Sequence, residues 1–186
     1  MRVRIALHEK KIPFEVIEED LKNFSPELRA LHPEAKVPLL VHGENVIYES
    51  AIITEYVDDL PSIEKKLMPA SPAERAQVRL WTYWCNQVFK PDLDRFKYGT
   101  ARFPEGECQG IEMKMIQHLQ KLEAVLVRQG HLVGSEFSLA DVHVFPFVRQ
   151  LSRIQPEPAF VKKHPALCKW RDSIQKRPSV WETLKK

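Results

Sequence analysis

Apolar positions recur along this chain with two different periods. Val3, Ile5, Ala6 and Leu7, followed by Glu9, Lys10 and Lys11, have the spacing of one amphipathic helix, which Pro13 is expected to end. Phe14, Val16 and Ile17 then alternate with Glu15, Glu18 and Glu19, which predicts a strand with one buried face. Ser25 ahead of Pro26 predicts a short capped helix over 26–31, closed by Pro33. The apolar runs 37–41 and 46–48 flank His42-Gly43-Glu44-Asn45, a turn composition that predicts an antiparallel hairpin. Ser50 is expected to cap a helix carrying Ile52, Ile53, Tyr56, Val57 and Leu60, which stops at Pro61.

From residue 71 onward the period is helical throughout. Ser71-Pro-Ala-Glu74 reads as a capping box that opens a long helix along Val78, Trp81, Cys85, Val88 and Phe89. A turn over 103–106 precedes a second helix along Ile111, Met115, Leu119, Leu122 and Leu126, stopped by Gly130. Ser138-Leu-Ala-Asp141 is a second capping box, with Phe137 placed to staple onto Val142. The helix it opens, through Val144, Phe147 and Leu151, is apolar enough to lie in the middle of a bundle. Leu167, Trp170 and Ile174 give one more helix, ended by Arg177-Pro178, and Val180, Trp181 and Leu184 are expected to pack back on the bundle. The pattern therefore predicts an α/β unit over 1–61, a linker over 62–70 and an all-helical unit over 71–186.

Composition narrows the function. With 44% apolar and 28% charged residues in a chain of 186, a buried core is within reach and disorder is excluded. The net charge of +3 comes from 28 basic and 25 acidic residues dispersed along the chain, which argues against nucleic acid as a partner. No apolar run approaches the roughly 18 residues of a membrane span. The charged start, with Arg2 and Arg4, does not read as a signal peptide, so a cytoplasmic location is expected. Cys85, Cys108 and Cys168 are odd in number and without a CxxC pair, so they read as reduced thiols. The seven histidines have no HxxxH spacing, and no metal site is expected.

Five motifs, in order, resemble the cytosolic glutathione transferases. Arg2-Val-Arg-Ile-Ala-Leu-His-Glu-Lys resembles the end of that family's first helix, Lys36-Val37-Pro38 its cis-proline turn, and Glu49-Ser50 its glutathione clamp. Gly134 with Phe137-Ser138-Leu-Ala-Asp141 resembles the signature of its helical domain, and His164-Pro165 to Arg177-Pro178-Ser179 its last helices. The resemblance covers essentially the whole chain. It implies a thioredoxin-like domain over 1–61, without its first strand, followed by an all-α helical bundle.

The implied ligand is glutathione, used as substrate with a small electrophile. By resemblance, Val37 offers its backbone to the cysteinyl part beside a cis Pro38, Lys36 pairs with the glycyl carboxylate, and Glu49 and Ser50 meet the γ-glutamyl end at a helix N-terminus. Taken singly, Glu49-Ser50 also fits a plain helix cap and Pro38 a plain turn. The residue that ionises the thiol is expected ahead of Met1, since none of the three cysteines falls at the family's position and no catalytic residue is visible. Trp84 and Val88, in an aromatic stretch from Trp81 to Tyr98, are candidates for an apolar co-substrate pocket, although aromatics at that spacing are more often bundle core. The family's habit implies a homodimer through the faces around 54–58 and 75–79. Ser138 and Asp141 are expected to be structural. Against the enzyme stands a non-catalytic binding or scaffold protein of the same fold, and a redox enzyme with an activating Cys at the helix start stays open.

Overall fold

In the computed structural model, which describes residues 1–32, 34–154, 156 and 158–185, the two periods of the sequence fold as two kinds of layer. The first begins with α1 (Arg2–Glu9), which turns Ile5, Ala6 and Leu7 inward. It ends before Pro13 is reached. Lys11 takes a left-handed φ of 51°, its N–H donates to the His8 carbonyl, and that of Ile12 donates to Leu7. These are the paired bonds of a Schellman closure.

The strand expected at 14–17 does not form: residues 12–20 have no regular structure, and Val16 and Ile17 are exposed. The alternation is there, but a strand needs a neighbour for its N–H and C=O groups. Among the described residues the sheet consists of β1 (Leu39–His42) and β2 (Asn45–Tyr48) alone. These two form the expected antiparallel hairpin, with Leu39 opposite Tyr48 and His42 opposite Asn45. Gly43 supplies the positive φ of 60° in its turn. Ahead of the hairpin, α2 (Pro26–Leu31) is capped as expected, the Ser25 hydroxyl accepting from the Leu28 N–H at 3.1 Å. Pro33, expected to close this helix, lies outside the described residues.

In α3 (Ser50–Asp59), Ser50 is the first helical residue rather than the cap. Strand β2 runs to Tyr48, so a single residue, Glu49, has to turn the chain from strand to helix. Beyond α3 the 62–70 segment is irregular yet fastened down. The Asp58 carboxylate accepts from the N–H groups of Leu67 and Met68 at 2.7 and 2.9 Å, and Lys10 Nζ lies 3.5 Å from it in a pair fully withdrawn from solvent.

The helical layer comprises α4 (Pro72–Trp84), α5 (Lys90–Tyr98), α6 (Glu105–Cys108), α7 (Ile111–Gln129), α8 (Leu139–Ser152), α9 (Pro165–Gln175) and α10 (Pro178–Leu184). A π-helical turn, Cys85–Phe89, joins α4 to α5. Such a widened turn accommodates Pro91, which would clash with a regular helix before it. The first capping box does not close: Ser71 stands at the cap position without a side-chain bond, and the Glu74 carboxylate lies against Gly134 instead. The C-terminal tail also differs from expectation. α10 packs chiefly on α1, where Arg177 forms a two-pronged pair with Glu9 at 2.7 Å, and Trp181 stays exposed.

α8 runs through the centre, packed by α1, α3, α4, α5 and α9, with every residue from Leu139 to Phe145 buried. Its polar groups must therefore find protein partners. At its start the second capping box is closed. Asp141 Oδ2 accepts from the Ser138 N–H and hydroxyl at 2.9 and 3.1 Å, while Oδ1 accepts from the Leu132 N–H at 3.1 Å and the Trp170 indole at 2.7 Å. One turn later, His143 lies between two threonines, its Nε2 2.6 Å from Thr54 Oγ1 on α3 and its Nδ1 2.6 Å from Thr82 Oγ1 on α4. Burial, with the Arg2 charge close by, pushes its pKa down to about 3.

Two predictions follow from these buried groups. Ser138→Ala removes one partner of the cap and should cost about 0.5–2 kcal/mol. Asp141→Ala strands several buried donors at once and should cost about 3–5 kcal/mol, the range for breaking a buried charged network. Urea unfolding of the two variants checks this, and equal losses would contradict the four-bonded carboxylate. For His143, the folded pKa is depressed below the ordinary 6.5, so the unfolded chain binds the extra proton between pH 6.5 and 3. Stability contributed by keeping the ring neutral is thus full above pH 6.5 and lost as pH falls. The unfolding free energy of wild type relative to His143→Gln should fall by up to about 1.4 kcal/mol per pH unit below pH 6. A difference that stays flat from pH 7 to 4.5 would show that the histidine titrates normally.

Candidate functional site

The turn from β2 into α3 and the loop before β1 enclose a cleft of about 400 Å³. Lys36, Val37, Pro38, Glu49 and Ser50, the five residues singled out in the sequence, all line it, together with Phe24, Glu34 and Ala35. Local chemistry explains why they meet. Ala35 takes a left-handed φ of 45° and its N–H donates to the His32 carbonyl at 2.8 Å, reversing the chain after α2. The Val37–Pro38 peptide is cis, and β1 starts immediately after it. Val37 is left half exposed, and among the described residues its N–H and C=O take no backbone partner. Val37 thus lines the cleft with both groups unbonded, as on the free edge of a strand.

On the opposite wall, Glu49 has φ 65° and ψ 114°, a conformation that costs an L-residue about 1–3 kcal/mol. The residue after it is Ser50, so the unpaired N–H groups of the first turn of α3 and the positive end of its dipole face the cleft. Behind Ser50 lies a cation that the sequence reading passed over. Arg2 is buried; it donates from Nη1 to Ser50 Oγ at 3.2 Å, from Nε to the His143 carbonyl at 2.9 Å and from Nη2 to Cys85 Sγ at 3.4 Å. The Phe147 ring lies 4.8 Å from its guanidinium carbon. Burial draws Arg2 down from its ordinary pKa, yet a guanidinium keeps its proton. Among the described residues no carboxylate hydrogen-bonds to it. Its signal in the sequence was an arginine on the same helical stripe as Ile5 and Ala6.

Lys36 differs from the simple expectation of a cation waiting for a carboxylate. Its ammonium pairs with Glu34, and this contact raises the lysine pKa and lowers that of the glutamate. Both side chains are largely exposed, so the pair is readily exchanged for a ligand. Trp84 and Val88 do not line this cleft. Trp84 is buried, stacked on Phe89 at 5.1 Å and edge-on to Trp81 at 5.3 Å, with Lys121 Nζ 4.6 Å from its ring. It belongs to the packing between α4 and α7. Val88 is partly exposed on the π-helical turn.

Cys85 is the thiol nearest the cleft, behind Arg2. Burial pushes its pKa up to about 11, against a smaller opposing pull from Arg2, which disfavours the thiolate at neutral pH. Ser50 supplies the one hydroxyl side chain among the lining residues described. Among the described residues no cluster of three metal-ligating side chains occurs, and no helix is long and apolar enough to cross a membrane.

Comparison with known proteins agrees with this architecture. The profile described as glutathione S-transferase, N-terminal domain, matches residues 1–60, and that of the glutathione S-transferase C-terminal domain matches residues 112–178. Glutathione S-transferase U19 of Arabidopsis thaliana is 32% identical, over 99% of this chain and 84% of its own length. Protein LigF of Sphingobium sp. is 30% identical, over 97% of this chain and 87% of its own. The crystal structure of beta-etherase LigF superposes with a TM-score of 0.85 at 28% identity, covering 97% of this chain and 92% of that one. A Tau class glutathione S-transferase from mango gives 0.86 at 25% identity, covering 100% and 87%. A thioredoxin-like unit followed by a helical domain, with its motifs in order from α1 to α10, makes this chain a member of the glutathione S-transferase family.

Proposed function

We propose that the cleft binds glutathione and that the protein conjugates it through its sulfur to small electrophiles, or exchanges its thiol with them. The observation that carries this reading is the convergence of Lys36, Val37, Pro38, Glu49 and Ser50 on one cleft with the Arg2 cation behind Ser50. The free amides of α3, the Ser50 hydroxyl and Arg2 suit the γ-glutamyl carboxylate, and Glu49 suits its ammonium. Val37 suits the cysteinyl backbone, and Lys36, exchanging Glu34 for the ligand, suits the glycyl carboxylate. In transfer, the sulfur bonds to the electrophilic carbon, the leaving group departs with its electron pair, and the thiol proton passes to solvent.

A second reading is favoured by the similarity to LigF in both sequence and structure: cleavage of an ether bond by the same sulfur. The two share the glutathione site and differ in the electrophile. The domain limits 1–61, 62–70 and 71–186 and a cytoplasmic location form part of the same proposal. So does a homodimer, but with altered contacts. Thr54, Val57 and Asp58 are buried within the chain, which leaves Ile52, Leu80 and Tyr83 as exposed apolar residues beside the Glu55–Arg79 pair that joins α3 to α4.

Binding tests the site directly. Titration calorimetry should show glutathione binding that Ser50→Ala weakens about tenfold, the loss of a hydrogen bond to a charged group. Lys36→Ala should weaken glutathione yet leave γ-glutamylcysteine, which lacks the glycyl carboxylate, unchanged. No binding by the wild-type chain would reject the reading. Binding without turnover of either a chloronitroarene or an aryl ether would favour a scaffold or carrier role. For the dimer, Leu80→Arg should shift the sedimentation coefficient to that of a 21.7 kDa monomer.

A further inference from the structure

His143 is the one polar residue between Val142 and Phe147 on α8, and 1% of its surface is exposed. Two separate connections run from it to the first turn of α3. The first goes through its backbone: the His143 carbonyl accepts from Arg2 Nε at 2.9 Å, and Arg2 Nη1 donates to Ser50 Oγ at 3.2 Å. The second goes through its ring: Nε2 meets Thr54 Oγ1 at 2.6 Å, and that hydroxyl lies 2.9 Å from the carbonyl of Ala51, the residue next to Ser50. On the far side of the ring, Nδ1 meets Thr82 Oγ1 at 2.6 Å, and that hydroxyl lies 2.9 Å from the Val78 carbonyl on α4.

Counting protons leaves two arrangements. A hydroxyl has one hydrogen and a neutral imidazole has one N–H and one acceptor nitrogen. If the ring proton is on Nε2, His143 donates to Thr54 and Thr54 is free to donate to Ala51, so the chain of donors runs unbroken to the first turn of α3. Nδ1 then accepts from Thr82, which turns its hydrogen from the Val78 carbonyl to the ring, and that carbonyl keeps its ordinary helical N–H partner. With the proton on Nδ1 the two threonines exchange roles: Thr82 keeps Val78, while Thr54 turns its hydrogen to the ring and releases Ala51, whose carbonyl likewise keeps its helical N–H partner. The surroundings hold the ring neutral: Arg2 from α1 is the charge that bears on it, and no carboxylate is among the causes acting on it.

We propose that His143, as the Nε2–H tautomer, is a positioning residue for the cleft, fixing through Thr54 and Arg2 where α3 presents Ser50 and its free N–H groups. This rests on the reading of the cleft as a glutathione site. The ligand is never touched by His143, which acts through α3.

Side chains of different reach separate positioning from plain stability. The amide of Gln at 143 reaches the place of Nε2, whereas that of Asn reaches only the place of Nδ1. Both variants should melt at lower temperature than wild type. Glutathione affinity, measured by calorimetry at pH 7, should stay within about threefold of wild type in His143→Gln and fall about tenfold in His143→Asn, the scale of one hydrogen bond. Thr54→Val should behave as His143→Asn, and Thr54→Ser as wild type, so the test stands even if the Asn variant does not fold. In nitrogen-15 spectra of the free protein, the His143 ring should show a protonated Nε2 and a bare Nδ1. Equal affinity in wild type, His143→Asn and Thr54→Val would overturn the inference, as would equal losses in the Gln and Asn variants or an Nδ1–H ring. Failure of the wild-type chain to bind glutathione would instead reject the glutathione reading on which it rests.

Discussion

A helix buried on every side can use no water, and α8 is such a helix over its first two turns. Every polar atom there has to be matched by protein, at about 1–3 kcal/mol for each one left over. The matches reach far along the chain. Asp141 gathers the 132 loop, the Ser138 cap and the Trp170 indole of α9, while His143 gathers α3 and α4 by its ring and α1 by its carbonyl. Apolar packing makes the core, but it is non-directional. These directed bonds fix how α1 and α3 of the N-terminal unit sit on α8.

That seating sets the cleft, because Ser50 is the end of the same chain of bonds. The hairpin is too short to dictate the course of α3 by itself, with four residues in each strand. Glu49 makes the whole turn from strand to helix in a conformation that costs free energy, and such a residue is held only where its surroundings over-determine it. Thr54, Asp58 and the Arg2 bond to Ser50 supply that constraint from the helix side. The cleft is therefore shaped at one wall by the helical bundle, although nearly all the residues lining it come from the 34–50 segment.

The sequence made much of this legible. Patterns with a local cause survived: the Ser25 cap, the 42–45 turn, Gly130, the Ser138–Asp141 box and the apolar character of α8 each depend on residues a few positions apart. Patterns needing a distant partner did worse. The 14–17 alternation lacked a neighbouring strand; the Ser71–Glu74 box is the exception among the local patterns, its carboxylate lying against Gly134 instead of closing the cap. The five residues of the cleft were found because they lie in two short motifs. Arg2 and His143 were missed because each looked like an isolated polar residue in an apolar stripe, and only the fold shows what they join.

The charges around the cleft are unequal, and this bears on how an anionic ligand would sit. Lys36 and Glu34 already neutralise one another in open solvent, where a replacement of Glu34 by a ligand carboxylate exchanges one screened pair for another. Arg2 is withdrawn from solvent and bonded to a hydroxyl, a carbonyl and a thiol, none of which carries a full negative charge. Its field is the less screened of the two and points through Ser50 to the free amides of α3. On the glutathione reading, the γ-glutamyl carboxylate therefore carries most of the electrostatic gain, and the glycyl end mainly sets orientation. The same field falls on Cys85 and His143, yet burial outweighs it at the thiol and adds to it at the ring, so both stay uncharged. Arg2 thus stands behind the cleft with no carboxylate hydrogen-bonded to it among the described residues, Glu49 on the cleft wall being the acidic group that acts on it, and its charge faces a ligand on the Ser50 side.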